Sequence, residues 1–295
     1  MVTVTPNYYK DFKCIADKCH HTCCVGWEIE IDDSTLSKYE SLNSEFSEAL
    51  KSQIVFDESP HFKLDKDERC PFLNKNGLCD IITNLGEEYL CQICNDHPRF
   101  RNFYDNYVET GLGLCCEVAT KLILTRDEKF VLNLPTDALQ IPLINFREKI
   151  FCILQDRTKP LDERIEDMLK LVGASFPANI EWYSVFNNLE KLDAAWDKYL
   201  HRIKDGIWGY TTDASLDIAY EQLVVYLIFR HFLDCQYDDK IQERVLFSVL
   251  IYKTIKTMNR SNSLEELLEI ARIYSCEIEY SDQNINELLL ALGDN

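Results

Sequence analysis

The sequence predicts a mainly α protein: an irregular, cysteine-rich metal-binding module with a few short strands over residues 1–130, then an all-α helical domain over residues 131–295. Three observations carry this expectation. Ten of the 13 cysteines lie in residues 1–116, a clustering that uniform use of cysteine as a small core hydrophobe does not produce. From about residue 137, apolar residues recur at helical spacing with charged opposite faces. The chain has 295 residues, 46% of them hydrophobic, with only 9 Gly and 8 Pro. It is therefore long enough for one large or two ordinary domains, and it has neither a disordered nor a collagenous composition.

In chain order, Trp27-Glu28-Ile29-Glu30-Ile31 alternates as a short strand does. Asp32, Asp33 and Ser34 then supply N-caps for a helix through Leu36, Tyr39, Leu42, Phe46 and Leu50. Asn76-Gly77 signals a turn. Residues 80–94 read as a helix broken near Gly86 and ended before His97-Pro98, because the residue before a proline is pushed out of the α region. A strand is expected over 102–108, a helix over 117–124 and a strand over 129–132. The helical half then offers 139–155, 161–172, 182–203, 216–235, 241–258, 264–274 and 285–292. The breaks at 159–160, 173–177, 206–209, 238–239 and 261–263 are as short as bundle connections usually are. Trp182, Trp196, Tyr226 and Phe229 in this half are expected in the core.

Charge and hydropathy exclude several functions. The 31 Lys and Arg against 50 Asp and Glu give a net charge of −19, spread as −9 over residues 1–125 and −10 beyond. Neither half carries the basic footprint of a nucleic-acid binder. The longest strongly apolar run, 224–229, falls far short of the ~20 residues that span a bilayer, and the first 13 residues lack a signal-peptide apolar region. The expectation is a cytoplasmic protein with no nucleic-acid or membrane partner. In that reducing setting, clustered thiols serve as metal ligands or catalytic groups more often than as disulfides.

The cysteines form three blocks. Cys14, Cys19, Cys23 and Cys24 enclose His20 and His21; Cys70, Cys79, Cys91 and Cys94 follow; Cys115 and Cys116 are adjacent. Thiolates suit zinc and iron–sulfur clusters, and closely spaced ligands let one loop wrap a metal with its backbone N–H groups turned toward the sulfurs. Spacing leaves zinc and a [4Fe–4S] cluster open, and ten thiols leave one site or two open. The Cys-x3-Cys-x2-Cys signature of radical enzymes is absent, since Cys24 directly follows Cys23. His97 and Arg99 lie close enough to Cys94 to support a cluster from behind its ligands. Cys152, Cys235 and Cys276, isolated on helices, are expected to pack.

The strings CHHTCCVGWEIEID from Cys19, CPFLNKNGLCDIITNLGEEYL from Cys70, CNDHPRF from Cys94 and ETGLGLCCEVA from Glu109 together resemble the flagellin lysine-N-methylase family, related to cysteine-cluster metal-chelating proteins. The resemblance spans residues 8–125. It implies methyl transfer from S-adenosylmethionine to lysine side chains of flagellin, or of another protein substrate, by an iron–sulfur protein. It also implies a ligand set drawn from Cys14, Cys19, Cys23, Cys24, Cys70, Cys79, Cys94 and Cys116, with Cys91 and Cys115 outside the family frame.

Methylating an amine requires a neutral lysine in line with the S–CH3 bond, a group to take its proton, and aromatic or acidic walls for the sulfonium. Trp27, Tyr104, Tyr107, Glu109 and Glu117, in or beside the motifs, are the candidate walls, although packing and capping are the commoner roles for such residues. The one Gly-x-Gly, at 111–113, runs into cysteines and is followed by no βαβ series, so the Gly-rich strand-to-helix loop of a Rossmann-like methyltransferase is absent and an S-adenosylmethionine pocket here is not the common one. The alternative reading is a non-catalytic or redox metal-binding module, iron–sulfur or zinc, that docks a partner.

Overall fold

The computed structural model describes residues 2–104, 107–136, 138–207 and 214–293. The chain divides into two compact units, Lys13–Phe100 and Met1–Phe12 with Arg101–Asn295. The expected boundary at 130/131 does not coincide with this division. The 101–130 segment joins the helical unit because its strand and helix pack there, and strand β1 (Val2–Val4) pairs with that strand.

The Lys13–Phe100 unit holds α1 (Asp33–Ser41), α2 (Glu45–Lys51), β2 (Ile54–Phe56), β3 (Pro60–Phe62), α3 (Asp80–Leu85) and α4 (Gln92–Asp96). Asp32 caps α1, its carboxylate accepting the Thr35 N–H at 3.0 Å. The single helix expected through Leu50 is two helices. Ser44 and Ser47 exchange side-chain and backbone hydrogen bonds in a capping box that starts α2 anew.

Ile29 and Ile31 are buried and the residues beside them are not, as the alternation predicts. Their backbone, however, makes only isolated links to Phe62 and Pro60 (3.1 and 2.7 Å) and forms no strand. The β2–β3 hairpin, antiparallel with Ile54 opposite Phe62, was not expected; three-residue strands carry too little periodicity to be read. Gly86, at φ 105°, ends α3 where the sequence placed the break. Ile29, Ile31, Tyr39, Leu50, Phe62, Phe72 and Ile81 form one core with Cys70 and Cys91.

In the helical unit β5 (Tyr107–Leu112) lies between β1 and β4 (Arg99–Tyr104), parallel to β1 with Val2 opposite Tyr107. The one strand expected at 102–108 is thus the end of β4 and the start of β5, and its residues 105–106 lie outside the described residues. The strand expected at 129–132 is a single bridge between Leu132 and Pro6. The helices are α5 (Glu117–Leu124), α6 (Pro142–Leu154), α7 (Leu161–Val172), α8 (Trp182–Asn187), α9 (Ala194–Leu200), α10 (Asp217–His231), α11 (Cys235–Asp238), α12 (Ile241–Met258), α13 (Leu264–Tyr274) and α14 (Asp282–Gly293).

Four of these, α5, α7, α12 and α13, have the expected bounds. The 182–203 stretch is interrupted because Asp193 caps α9 while Glu277 accepts the N–H groups of Leu192 and Asp193. Gly206, at φ 103°, marks the next break; Trp208 and Gly209 of that predicted break lie outside the described residues. α10 is buried at every residue from Ala219 to His231, and α12 nearly so from Arg244 to Met258. Helices buried on every side sit at the centre of a fold, and α10 and α12 pack on each other with α5, α6, α7, α13 and α14 around them. Trp182, Trp196, Tyr226 and Phe229 are all buried.

Candidate functional site

The Lys13–Phe100 unit brings five thiols together: Cys24, Cys70, Cys79, Cys91 and Cys94. Local backbone bonding sets them there. The Cys70 N–H donates to the Cys24 carbonyl at 2.8 Å, tying the first motif to the second. The Asn76-Gly77 turn, with Gly77 at φ 75°, folds Cys79 back so that the Asp80 N–H reaches the Phe72 carbonyl at 2.7 Å. Asp32 accepts the Gln92 N–H at 2.8 Å and so fixes the start of α4, with Cys91 at its cap and Cys94 one turn on.

Backbone N–H groups point at the sulfurs, from Phe72 to Cys70 and from Ile81 and Ile82 to Cys79. The Cys91 and Cys94 thiols hydrogen-bond to each other, and the Tyr39 hydroxyl, 3.6 Å from the Cys91 sulfur, also donates to the Tyr89 carbonyl.

Electrostatics separate these thiols. Burial pushes Cys70 up to about 12 and raises Cys79. The hydrogen bond from Cys23 brings Cys24 down to about 7. The bond shared with Cys94 lowers Cys91, and the same bond raises Cys94. Thiolates this close repel one another, so without a cation they cannot all ionise; a bound metal reverses that by deprotonating coordinating thiols outright. Among the described residues, no group of three or more His, Cys, Asp or Glu side chains is placed to hold a single metal ion.

The other ligand candidates are placed differently. Cys14 is exposed, its sulfur accepting the Ala16 N–H at 3.4 Å. The Cys19 thiol donates to the His21 carbonyl at 3.3 Å. Cys23 is exposed beside Cys24, and His20 and His21 are exposed. Cys116 belongs to the helical unit, at the cap of α5. Burial, and then Arg99, hold His97 down to about 4, so it is neutral at neutral pH. Cys91, outside the family frame, is among the most deeply buried of the thirteen thiols. Of the three helical cysteines expected to pack, Cys235 is buried, Cys276 half-buried and Cys152 exposed, because Cys152 falls on the outer side of α6.

The candidate walls separate as well. Trp27 stacks on His97 at 6.4 Å and donates its indole N–H to the Cys23 carbonyl at 2.8 Å, packing the cysteine loop. Tyr104 and Tyr107 stack at 5.7 Å in the helical unit. Glu109 on β5 is wholly buried, and both its oxygens bind the equally buried Arg147 of α6, at 2.5 and 2.8 Å. Glu117 opens α5.

Sequence reasoning missed Arg147 and Glu148. They look like ordinary charges on an amphipathic helix, and nothing local reveals that one meets a carboxylate 38 positions away. The Glu148 Oε1 and Tyr107 Oη atoms are buried with no hydrogen-bond partner.

Nothing among the family models or the solved structures matches the chain. Curated relatives do. Over 167 residues the chain is 29% identical to a protein named Lysine-N-methylase from Salmonella choleraesuis and, at the same identity and length, to its namesake from Salmonella typhimurium. Each match covers 52% of this chain but 42% of the relative, so the chain matches about two-fifths of their length. It is 30% identical over 140 residues to the Flagellar biosynthetic protein FliU of Salmonella muenchen, covering 45% of this chain and 83% of that one. With that coverage, and with the four cysteine-bearing motifs in order, the chain belongs to the flagellin lysine-N-methylase family.

Proposed function

We propose that the protein methylates lysine ε-amines of flagellin with S-adenosylmethionine as methyl donor, and that it carries a [4Fe–4S] cluster on four of the thiols Cys24, Cys70, Cys79, Cys91 and Cys94. The observation that carries the first part is the run of relatives named for lysine N-methylation and flagellar biosynthesis. The second rests on the donor set. Five thiols share one core, and backbone N–H groups already face two of the sulfurs, which is how a protein stabilises thiolate charge without a counter-cation. A cluster of several irons also takes its thiolates from around a larger body than one zinc, which holds four donors at about 2.3 Å. When bound, it would cross-link loops of a unit whose own apolar core is small.

Methyl transfer breaks the S–CH3 bond of the donor and forms an N–CH3 bond. The electron pair returns to sulfur, and the amine's proton must have gone to a protein group or water. Protein purified without oxygen should be brown, contain iron and acid-labile sulfide, and add methyl mass to flagellin lysines. Stoichiometric zinc in a colourless protein would remove the cluster, and unmodified flagellin would remove the enzyme.

A further inference from the structure

We propose that Tyr104, Tyr107 and Glu148 form the face that receives the lysine side chain, with Glu148 taking its proton; this rests on the methyltransferase reading above. The Arg147–Glu109 pair fixes α6 against β5, two residues along the strand from Tyr107, and Glu148, the next residue on α6, lies within electrostatic reach of the Tyr107 hydroxyl. Tyr107 is 4% exposed, and neither its hydroxyl nor the buried Oε1 of Glu148 has a hydrogen-bond partner.

Burying two polar atoms without partners is unfavourable. Both oxygens can accept, so what would satisfy them is a group with several N–H donors, such as an alkylammonium. The stacked Tyr104 and Tyr107 rings offer the π surface to which cations are drawn. Tyr104 and Glu148 are half-buried as residues, whereas Glu109 is sealed in by Arg147. Burial raises the Glu148 carboxyl above its ordinary range, with Arg147 opposing and Glu109 adding to the rise. That direction suits a proton acceptor working nearer neutrality.

The step balances. The lysine –NH3+ gives a proton to the Glu148 carboxylate, and the neutral amine attacks the donor methyl. The N–C bond forms as the S–C bond breaks, and the thioether product keeps the electron pair.

The test uses the full chain purified anaerobically. Glu148→Gln should lose about 10²–10³ in the single-turnover rate on flagellin while keeping its circular dichroism and iron content. Glu148→Asp, which keeps the charge, should retain part of the rate and the acid limb of the pH profile. In parallel, N-acetyl-lysine amide should shift the Tyr104 and Tyr107 ring signals in NMR spectra of the unsubstituted protein, and bind about tenfold more weakly to Glu148→Gln.

A Glu148→Gln rate within about twofold of the original, or equal lysine-amide affinity, overturns the inference. Lysine-amide binding through Glu148 without methylation of flagellin would keep this face and sink the proposed activity instead.

Discussion

Replacing Arg147 with Met should destabilise the helical unit by about 3–5 kcal/mol, because it strands a buried carboxylate. Both members of the pair have fully buried side chains, and two charge-assisted hydrogen bonds join them at 2.8 and 2.5 Å. The guanidinium also lies over the Phe151 and Phe229 rings at 5.4 and 5.9 Å. Met fills most of the same volume and keeps the contact with those rings, so the loss measures the unpaired charge and not a cavity.

Against a total stability of about 5–15 kcal/mol, that loss is large. The double variant Glu109→Gln/Arg147→Met removes both charges and should recover most of it, because paired buried ions gain little over a neutral pair. Urea unfolding at neutral pH, followed by far-ultraviolet circular dichroism, gives the three differences. A single-variant cost below about 1 kcal/mol, or a double variant as unstable as the two singles summed, would refute the reasoning.

The thiols should sort by position: Cys70→Ser, Cys79→Ser and Cys91→Ser each lower iron and sulfide content in anaerobic preparations, whereas Cys14→Ser leaves both unchanged. Asp32→Ala should cost about 0.5–2 kcal/mol, since it removes the α1 cap together with the acceptor of the Gln92 N–H, as read by thermal unfolding. For Glu279, burial opposes ionisation but is overcome by Arg230 and then His231 and Ser275, which hold its carboxyl down to about 2. A folded value below the ordinary 4.5 contributes stability above that pH, which is lost as the pH falls from about 4.5 through about 2. Acid titration of the unfolding free energy should show that loss, and Glu279→Gln should flatten it.

Legibility followed the range of the forces involved. The bounds of α5, α7, α12 and α13 could be read because apolar period and flanking breakers act within a few residues. The helix through Leu50 split at Ser44, and the Trp27 to Ile31 alternation produced burial without a strand. The first was a local signal passed over, the Ser44–Ser47 capping box; in the second the alternation was read correctly and the distant Pro60–Phe62 segment decided its outcome. At the candidate site, Cys24, Cys70, Cys79 and Cys94 were chosen from the motifs. Cys91 was passed over, and its burial comes from the Asp32–Gln92 tether 60 positions apart.

By itself the sequence determined the mainly helical class, the acidic surface, the concentration of thiols near the start and the family. All of these reside in composition, period and motif order, which survive without any knowledge of the chain's path. Only the tertiary structure decided that the compact cysteine unit ends at Phe100, that five particular thiols meet, and that Arg147 seals Glu109 while the neighbouring Glu148 keeps a buried oxygen without a hydrogen-bond partner. Those outcomes depend on which distant segments pack together. Burial then sets which charges must pair and which polar atoms are left for a ligand.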